Sequence, residues 1–537
     1  MENKNRSFIK GAITLGTAGI IAKIMGFSYR IILPRMIGAE GVGLYQLAYP
    51  VYTSLLVIST TGVPISLAKL ISGKIAKDKY KQAYKIFRVC LGLSMVIGLF
   101  LTLIMALLSR PIINLFSWDP RSIYSVLALA PAIFIVSIMS SYRGFFQGLQ
   151  NMVPTAYSQV IEQFIRIVTM IILVYILLPY GIEFAAAGAT FGAVVGAVIG
   201  LILLIYIYIK KRKSIWENID IGSINNYNIY NNIRQIVVLA VPVTFGAMIQ
   251  PLMSFIDAAI VPARLQIAGF TNSLELYGQL SGMAMVLVHF PTVITLALST
   301  SLVPAISEAY AQRDYRLIRR RTQSSLRLTI LISLPAATGL FILAKPLTTV
   351  LFDTPEAATT LRLVALGVLF IALKQITSAI LQGMGQAVIP ARNLLIGAVF
   401  NAIINYILTA SPDFGIRGAA LGTVTGFAIA AFLNIYSTRK RTKFRLKVKQ
   451  LLFKPLISVL VMSVVVHRGF IIIQDIFSHL VSYSYSLTTF SMVVLGILIY
   501  FLTLLLFNEI KYYDLILIPK IGKKLADFLL DLGLVKK

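Results

Sequence analysis

The chain has 537 residues, 58% of them hydrophobic and 13% charged, with a mean hydropathy of +0.84, a composition that excludes a water-soluble globule. The net charge of +29 would suggest nucleic acid in a soluble protein, but the basic residues gather in alternate loops, the pattern of membrane topology rather than of a nucleic-acid-binding face. One cysteine, Cys90, excludes a disulfide framework, and three scattered histidines, His289, His467 and His479, have no cysteine partners to make a metal cluster with.

Apolar runs of about 20 residues recur along the chain, each long enough to cross a bilayer as a helix. The first, "LGTAGIIAKIMGFSYRIILP" from Leu15 to Pro34, follows Lys4, Arg6 and Lys10 as a secretory signal would. It is too long for one and lacks a small-residue cleavage site, so it is expected to be a retained span. Basic connections follow at Lys69 to Arg88, Lys210 to Lys213, Arg313 to Arg321 and Arg439 to Lys449; the intervening "SWDPR", "LPYGIEF", "FDTPEA" and "SPDFG" are poor in lysine. Laying the apolar runs between them predicts an all-α integral membrane protein of about fourteen transmembrane helices with both termini cytoplasmic. After the last span, Ile521, Leu525, Phe528, Leu529 and Leu532 share one helical side. An amphipathic helix on the inner leaflet and a solvated tail both fit this pattern.

The chain repeats itself at a shift of roughly 230 to 240 residues. "LPR" at Leu33 to Arg35 faces "VPAR" at Val261 to Arg264, and "GVPIS" resembles "LVPAIS"; "FQGLQNMVP" recurs as "LQGMGQAVIP", and "AAAGATFGAVVG" as "GIRGAALGTVTG". The matches keep their order. They predict two parallel six-helix bundles, 1–212 and 213–438, two extra transmembrane helices within 439–508, and a cytoplasmic amphipathic tail, 509–537. Gly188, Gly192, Gly196 and Gly200, and then Gly418, Gly422 and Gly426, form small-xxx-small ladders expected to be helix contact seams. Pro50 and Pro64 correspond to Pro291 and Pro304; such paired prolines mark either bent helices around a binding site or ordinary kinks absorbed by packing.

A charge at mid-bilayer costs about 2.5 to 3.5 kcal/mol and should therefore face a cavity or a partner. In the first helix Gly16, Gly19, Lys23, Gly26 and Arg30 are spaced 3, 4, 3, 4 and share one face, expected to be the wall of a solvated cationic cavity. Arg30 and Arg35 near the helix end also fit snorkelling; Lys23 does not. Glu162 and Arg166, four apart, can pair with each other; Asp257 and Arg264, seven apart, can pair if the helix end is bent. Lys374 lies in the tenth span, Arg143 at a helix end, and His289 beside Pro291, where it is either a proton-linked group or a hydrogen-bonded structural residue. Cations outnumber acids inside the spans, which favours an anionic ligand held by Lys23, Arg30, Arg35, Arg264 and Lys374.

No GxxxxGK[ST] loop, nucleophile elbow or HExxH helix is present, and the lysine-poor connections are too short for a carboxylate cluster, so no enzyme, metal or cofactor is expected. "FIKGAITLGTAGIIAKIMGF", "RMIGAEGVGLYQLAYP", "YRGFFQGLQNM", "SQVIEQFIR" and "YGIEFAAAGA" are similar to the stage V sporulation protein B type of the MATE-like flippase superfamily, relatives of the MurJ-type lipid II flippases. The resemblance runs from Phe8 to Thr438. It implies a MATE-like fold and the movement of an undecaprenyl-pyrophosphate glycan for cell-wall or spore-cortex assembly. In MurJ-type proteins the first helix brings cations to a central cavity, with an aspartate beside one arginine; Lys23 matches the first cation, and Arg30 stands where the acid is expected. The arginine expected on the second span is also missing, where "STTGVP" stands, and the closing helices resemble the pair that lines a lipid-tail groove. The chain is expected to act as a monomer in contact with membrane lipids and a wall-synthesis polymerase, coupled to a cation gradient or membrane potential. A drug or cation antiporter of the same superfamily would want a carboxylate deep in the first helix, and none lies between Lys4 and Glu40; a non-transporting scaffold would not need the cations at all.

Overall fold

The computed structural model describes residues 2–216, 229–444, 448–478, 484–507, 509 and 522–531. Among them every regular element is helical. Helix α1, Glu2–Thr60, is 59 residues long, about 90 Å at 1.5 Å per residue and three times the thickness of a hydrocarbon core. It runs through Pro34 and breaks at Gly38, where φ 64° and ψ −178° lie outside helical space and are open to glycine alone. Among the described residues twelve helices are long and apolar enough to cross a membrane, or thirteen with the bent pair Ala357–Ala365 and Gly367–Gly383. The first of them, Thr14–Ile75, contains the break at Gly38.

Contacts group the chain into two compact units, Met1–Gln266 with Thr271–Gly278, and Ile267–Phe270 with Gln279–Lys537. In the first, α1 is followed by α2 (Gly62–Ile75), α3 (Tyr80–Leu107), α4 (Ser109–Leu115), α5 (Ser122–Gly148), α6 (Val153–Leu177), α7 (Ile182–Trp216), α8 (Ile229–Ile267) and α9 (Ser273–Gly278). One core, with Leu67, Ile71, Phe87, Met139 and Phe145 buried, joins α2, α3 and α5. Another, with Tyr29, Leu33, Ile37, Leu44, Tyr45, Met170 and Ala189, closes around the α1 break against α6 and α7. Large apolar side chains such as Phe100 and Leu107 on α3 stay exposed, as lipid-facing residues do.

The first glycine ladder is a seam between α7 and α6. A Cβ on Gly188 would meet Leu173 and Leu177; on Gly192, Arg166 and Met170; on Gly196, Glu162 and Arg166; on Gly200, Glu162, Met139 and Ser158. Each glycine thus takes the next turn of α6, and the two backbones lie closer than any side chain would permit.

The second unit continues through a π turn, Gln279–Ala284, into α10 (Met285–Ala311), α11 (Tyr315–Ile342), α12 (Ala344–Phe352), α13 (Ala357–Ala365), α14 (Gly367–Gly383), α15 (Val388–Leu408) and α16 (Ile416–Thr442). Asp314 caps α11, accepting from the Leu317 amide at 2.8 Å. Gly418 and Gly422 pack on α15 at Leu408, Thr409 and Asn405, and Gly426 meets Gly397. Helices α17 (Val448–Ser478) and α18 (Ser484–Leu506) pair with each other. Glu509, just beyond α18, holds Arg327 of α11 at 3.1 Å and Lys454 of α17 at 3.3 Å, so its buried carboxylate fastens the added pair to this unit. Of the tail, α19 (Gly522–Asp531) is helical; Ile521 and Leu532, and the side chains of Leu525, Phe528 and Leu529, lie outside the described residues.

These seams predict a contrast between glycines. At Gly418 an added Cβ would sit 2.6 Å from the Leu408 carbonyl carbon, whereas at Gly19 nothing lies within 4 Å. Gly418→Ala is expected to destabilise the detergent-solubilised protein by about 1 to 3 kcal/mol through overpacking, and Gly19→Ala to change stability by less than about 0.5 kcal/mol, measured as thermal midpoints.

Candidate functional site

The cationic face of α1 is open along its first half. Lys23 is exposed, and a Cβ on Gly16 or Gly19 would meet nothing within 4 Å. Farther along, the face closes on α6: Gly26 lies against the Gln163 side chain. Half-buried Arg30 donates its Nε to the Tyr29 hydroxyl at 3.3 Å. That hydroxyl lies 3.3 Å from the hydroxyl of Tyr45, which comes from the part of α1 beyond the break.

Arg166 of α6 enters the same cluster. Its Nη2 donates to the Tyr45 hydroxyl at 3.1 Å, and its guanidinium carbon lies 5.3 Å from the centre of the Tyr29 ring and 5.6 Å from that of Tyr49. The Arg30 guanidinium carbon is 5.9 Å from the same Tyr29 ring, so two cations from two helices share one aromatic side chain. Tyr45 and Tyr49 stack at 5.5 Å, fixing the rings that hold Arg166. Cation–π contact of this kind stabilises a desolvated guanidinium by about 2 kcal/mol. It does not neutralise the charge.

The helical spacing of Glu162 and Arg166 allows them to pair, but tertiary packing separates their roles. Glu162 accepts from Arg143 Nη2 of α5 at 2.7 Å, and Arg143 Nε donates to Ser158 at 3.1 Å. Arg143, which the sequence marks only as a basic residue at a helix end, is thus the partner of this carboxylate, and Arg166 is left to the tyrosines. No carboxylate among the described residues forms an ion pair with Arg30 or Arg166.

The other candidates lie elsewhere. Arg35 is exposed, five residues beyond Arg30. Asp257 and Arg264 are half-buried on α8, in the first unit. In the second unit Lys374 of α14 stands 5.1 Å from the Phe427 ring of α16, and the His289 carbonyl of α10 accepts from the Thr292 hydroxyl at 2.7 Å. Pro64 falls just after the break between α1 and α2; Pro50, Pro291 and Pro304 lie inside helices.

A second polar cluster borders a cavity of about 730 Å³ lined by Glu40, Trp118, Asp119, Arg121, Gln266 and Glu275 among others; none of the α1 cations lines it. Arg121 binds Glu40 at 2.6 Å and Asp119 at 2.7 Å, and the Trp118 indole donates to the Ala258 carbonyl at 2.8 Å. The α4–α5 connection is thereby tied to α1 just past its break and to α8. Burial raises the Asp119 carboxyl, but bonds from the Arg121 side chain and backbone outweigh it and hold the group below its ordinary value. Its hydrogen bonds to Asp119 and Glu40 raise the Arg121 guanidinium in turn.

The helical architecture, with cations on its first helix, is that of a multi-pass membrane protein of the transporter class. The chain belongs to the polysaccharide biosynthesis protein family: the model of that family matches residues 8–310, and the MatE model matches residues 277–407. Stage V sporulation protein B of Bacillus subtilis (strain 168) is 32% identical over 527 residues, covering 96% of this chain and 99% of the relative. Lipid II flippase MurJ of the same organism is 28% identical over 491 residues, covering 88% and 89%. In fold, the chain is similar to a solved structure of lipid II flippase MurJ in an inward closed conformation, with a TM-score of 0.71 at 17% identity, covering 94% of this chain and 100% of that one.

A depressed carboxyl contributes stability above the usual carboxylate range and loses it as pH falls through the lowered value. Asp119→Asn is therefore expected to lower the thermal midpoint at neutral pH by the equivalent of about 1 kcal/mol or less, since the cluster is partly exposed. The gap from wild type should close below about pH 4, where wild type loses the same interaction; a gap that does not depend on pH would contradict this.

Proposed function

We propose that the chain moves an undecaprenyl-pyrophosphate-linked glycan, a lipid II-like precursor or a polysaccharide repeat unit, across the bacterial cytoplasmic membrane by alternating access, in cell-wall or spore-cortex assembly. The observation that carries the reading is the face of α1 on which Lys23 is exposed and Arg30 shares the Tyr29 ring with Arg166 of α6, neither arginine forming an ion pair with a carboxylate among the described residues. Fixed guanidinium and ammonium groups in a low-dielectric site favour an anionic headgroup, and they disfavour the cations that a drug antiporter exports. The apolar chain of the substrate need never leave the bilayer.

In this proposal the repeated bundles 1–212 and 213–438 are the moving parts, both termini are cytoplasmic, and Arg35, Arg264 and Lys374 are further contacts for the headgroup. Energy comes from a cation gradient or the membrane potential, with no cofactor. The protein acts as a monomer among membrane lipids and delivers its cargo to a wall-synthesis polymerase. The relatedness to stage V sporulation protein B and to lipid II flippase MurJ supports the class of cargo.

The test is transfer of a labelled undecaprenyl-pyrophosphate oligosaccharide to the far leaflet of liposomes holding the purified full chain. Lys23→Ala and Arg30→Ala are each expected to slow transfer by about tenfold or more, the effect of one lost charge-assisted hydrogen bond. Equal transfer by all three proteins would remove the cations from the pathway. Uptake of cationic dyes with no glycan-lipid transfer would replace the reading with antiport.

A further inference from the structure

Arg166 of α6 has no carboxylate ion-pair partner among the described residues, and its surroundings are built. The side chain leaves α6 beside Gly196, where a Cβ would come within 3.0 Å of the Arg166 Cβ, so the α7 seam leaves room for it. It then lies against Tyr29 and Tyr49 and is held by the Tyr45 hydroxyl. Tyr29 and Tyr45 are 3% and 4% exposed, which makes the tyrosine frame part of the core. The nearest acid along α6, Glu162, is already neutralised by Arg143.

Two half-buried guanidiniums therefore converge on Tyr29 at the edge of an apolar core. Like charges in such a place call for a counter-anion. Each arginine carries five N–H donors. One hydrogen bond to a tyrosine holds each of them, Arg30 through Nε and Arg166 through Nη2, which leaves donors on each guanidinium beyond the one that the tyrosine takes.

We infer that Arg30 and Arg166, oriented by Tyr29, Tyr45 and Tyr49, form a two-guanidinium clamp that takes a diphosphate in preference to a monophosphate. The clamp rests on the reading of the cargo as a pyrophosphate lipid, and names the atoms that would recognise it. A diphosphate presents a separate pair of oxygens on each phosphorus, so each guanidinium can bind one phosphate as a planar fork. A monophosphate satisfies one fork and leaves the other charge without an anion. Arg166 is thus a specificity-determining residue, and Tyr45 its positioning residue.

The test is equilibrium binding of geranylgeranyl pyrophosphate and geranylgeranyl phosphate to the full chain in nanodiscs, with inorganic pyrophosphate as competitor. Wild type is expected to prefer the diphosphate lipid by about tenfold. Arg166→Gln should reduce the preference to within about twofold, and Arg166→Lys should retain binding yet lose most of the preference, because an ammonium cannot make the planar fork. Should Arg166→Gln fail to fold, Tyr45→Phe keeps the arginine and removes its anchor, and should weaken the preference severalfold. A preference unchanged in a folded Arg166→Gln or in Tyr45→Phe overturns the clamp, even where wild type moves the glycan lipid in liposomes. Wild-type liposomes that move no glycan lipid, alongside a preference that collapses in Arg166→Gln, remove the flippase reading and leave the clamp standing. Inorganic pyrophosphate competing as strongly as the lipid overturns the lipid headgroup as its ligand.

Discussion

Close approach of α6 and α7 through Gly188, Gly192, Gly196 and Gly200 is the constraint on which the charged interior of the first unit depends. Two helices in a bilayer gain little from mutual hydrophobicity, because lipid tails are as apolar as leucine, so they are held by packing that needs small residues. Once α7 lies along one side of α6, the rotation of α6 is set. Glu162 then meets Arg143 of α5, while Arg166 meets the tyrosines of α1. Two residues one turn apart, apt to neutralise each other in an isolated helix, are thus committed to different neighbours. The seam turns what sequence spacing offers as an ion pair into a compensated acid and an available cation.

Much of the architecture is legible in the sequence because the bilayer simplifies it. Length and hydropathy mark the spans, glycines at every fourth position mark the seams, and the 3, 4, 3, 4 spacing of Gly16, Gly19, Lys23, Gly26 and Arg30 marks the cationic face. What the sequence hides is pairing across helices. Arg143 and Glu162 are 19 residues apart, Tyr45 and Arg166 are 121 apart, and Glu509 and Arg327 are 182 apart; no helical period links them. One partial signal exists. Tyr45, Tyr49 and Tyr52 in "YQLAYPVY" stand at helical spacing, and so many hydroxyl-bearing rings on one face of an apolar helix already suggest a frame for something polar. The break in α1 is likewise hidden by a more conspicuous residue: Pro34 is tolerated within the helix, and the chain departs from helical geometry at Gly38, where a positive φ is needed.

The two units manage buried charge differently. In the second unit the buried Glu509 carboxylate is shared between Arg327 and Lys454, one acid between two cations, and anchors the added helix pair. In the first unit the ratio is reversed, with Arg121 between the carboxylates of Glu40 and Asp119 in a partly exposed cluster. Around Tyr29 two arginines gather with no carboxylate ion pair among the described residues, which sets that cluster apart from these two.

Gly38 has a consequence for how the site is assembled. The residues before it carry Lys23, Tyr29 and Arg30, and those after it carry Tyr45 and Tyr49, so the cluster is made by two rods joined at one swivel. Each residue of a helix turns the next by about 100°. The angular phase between the arginine-bearing rod and the tyrosine-bearing rod is therefore fixed by the dihedral angles of one glycine together with the count of residues on either side. A single insertion or deletion between Arg30 and Tyr45 would leave both helices intact and their apolar character unchanged, yet would dial the tyrosines away from Arg166. The proposed clamp depends as much on the spacing across Gly38 as on the identity of its cations.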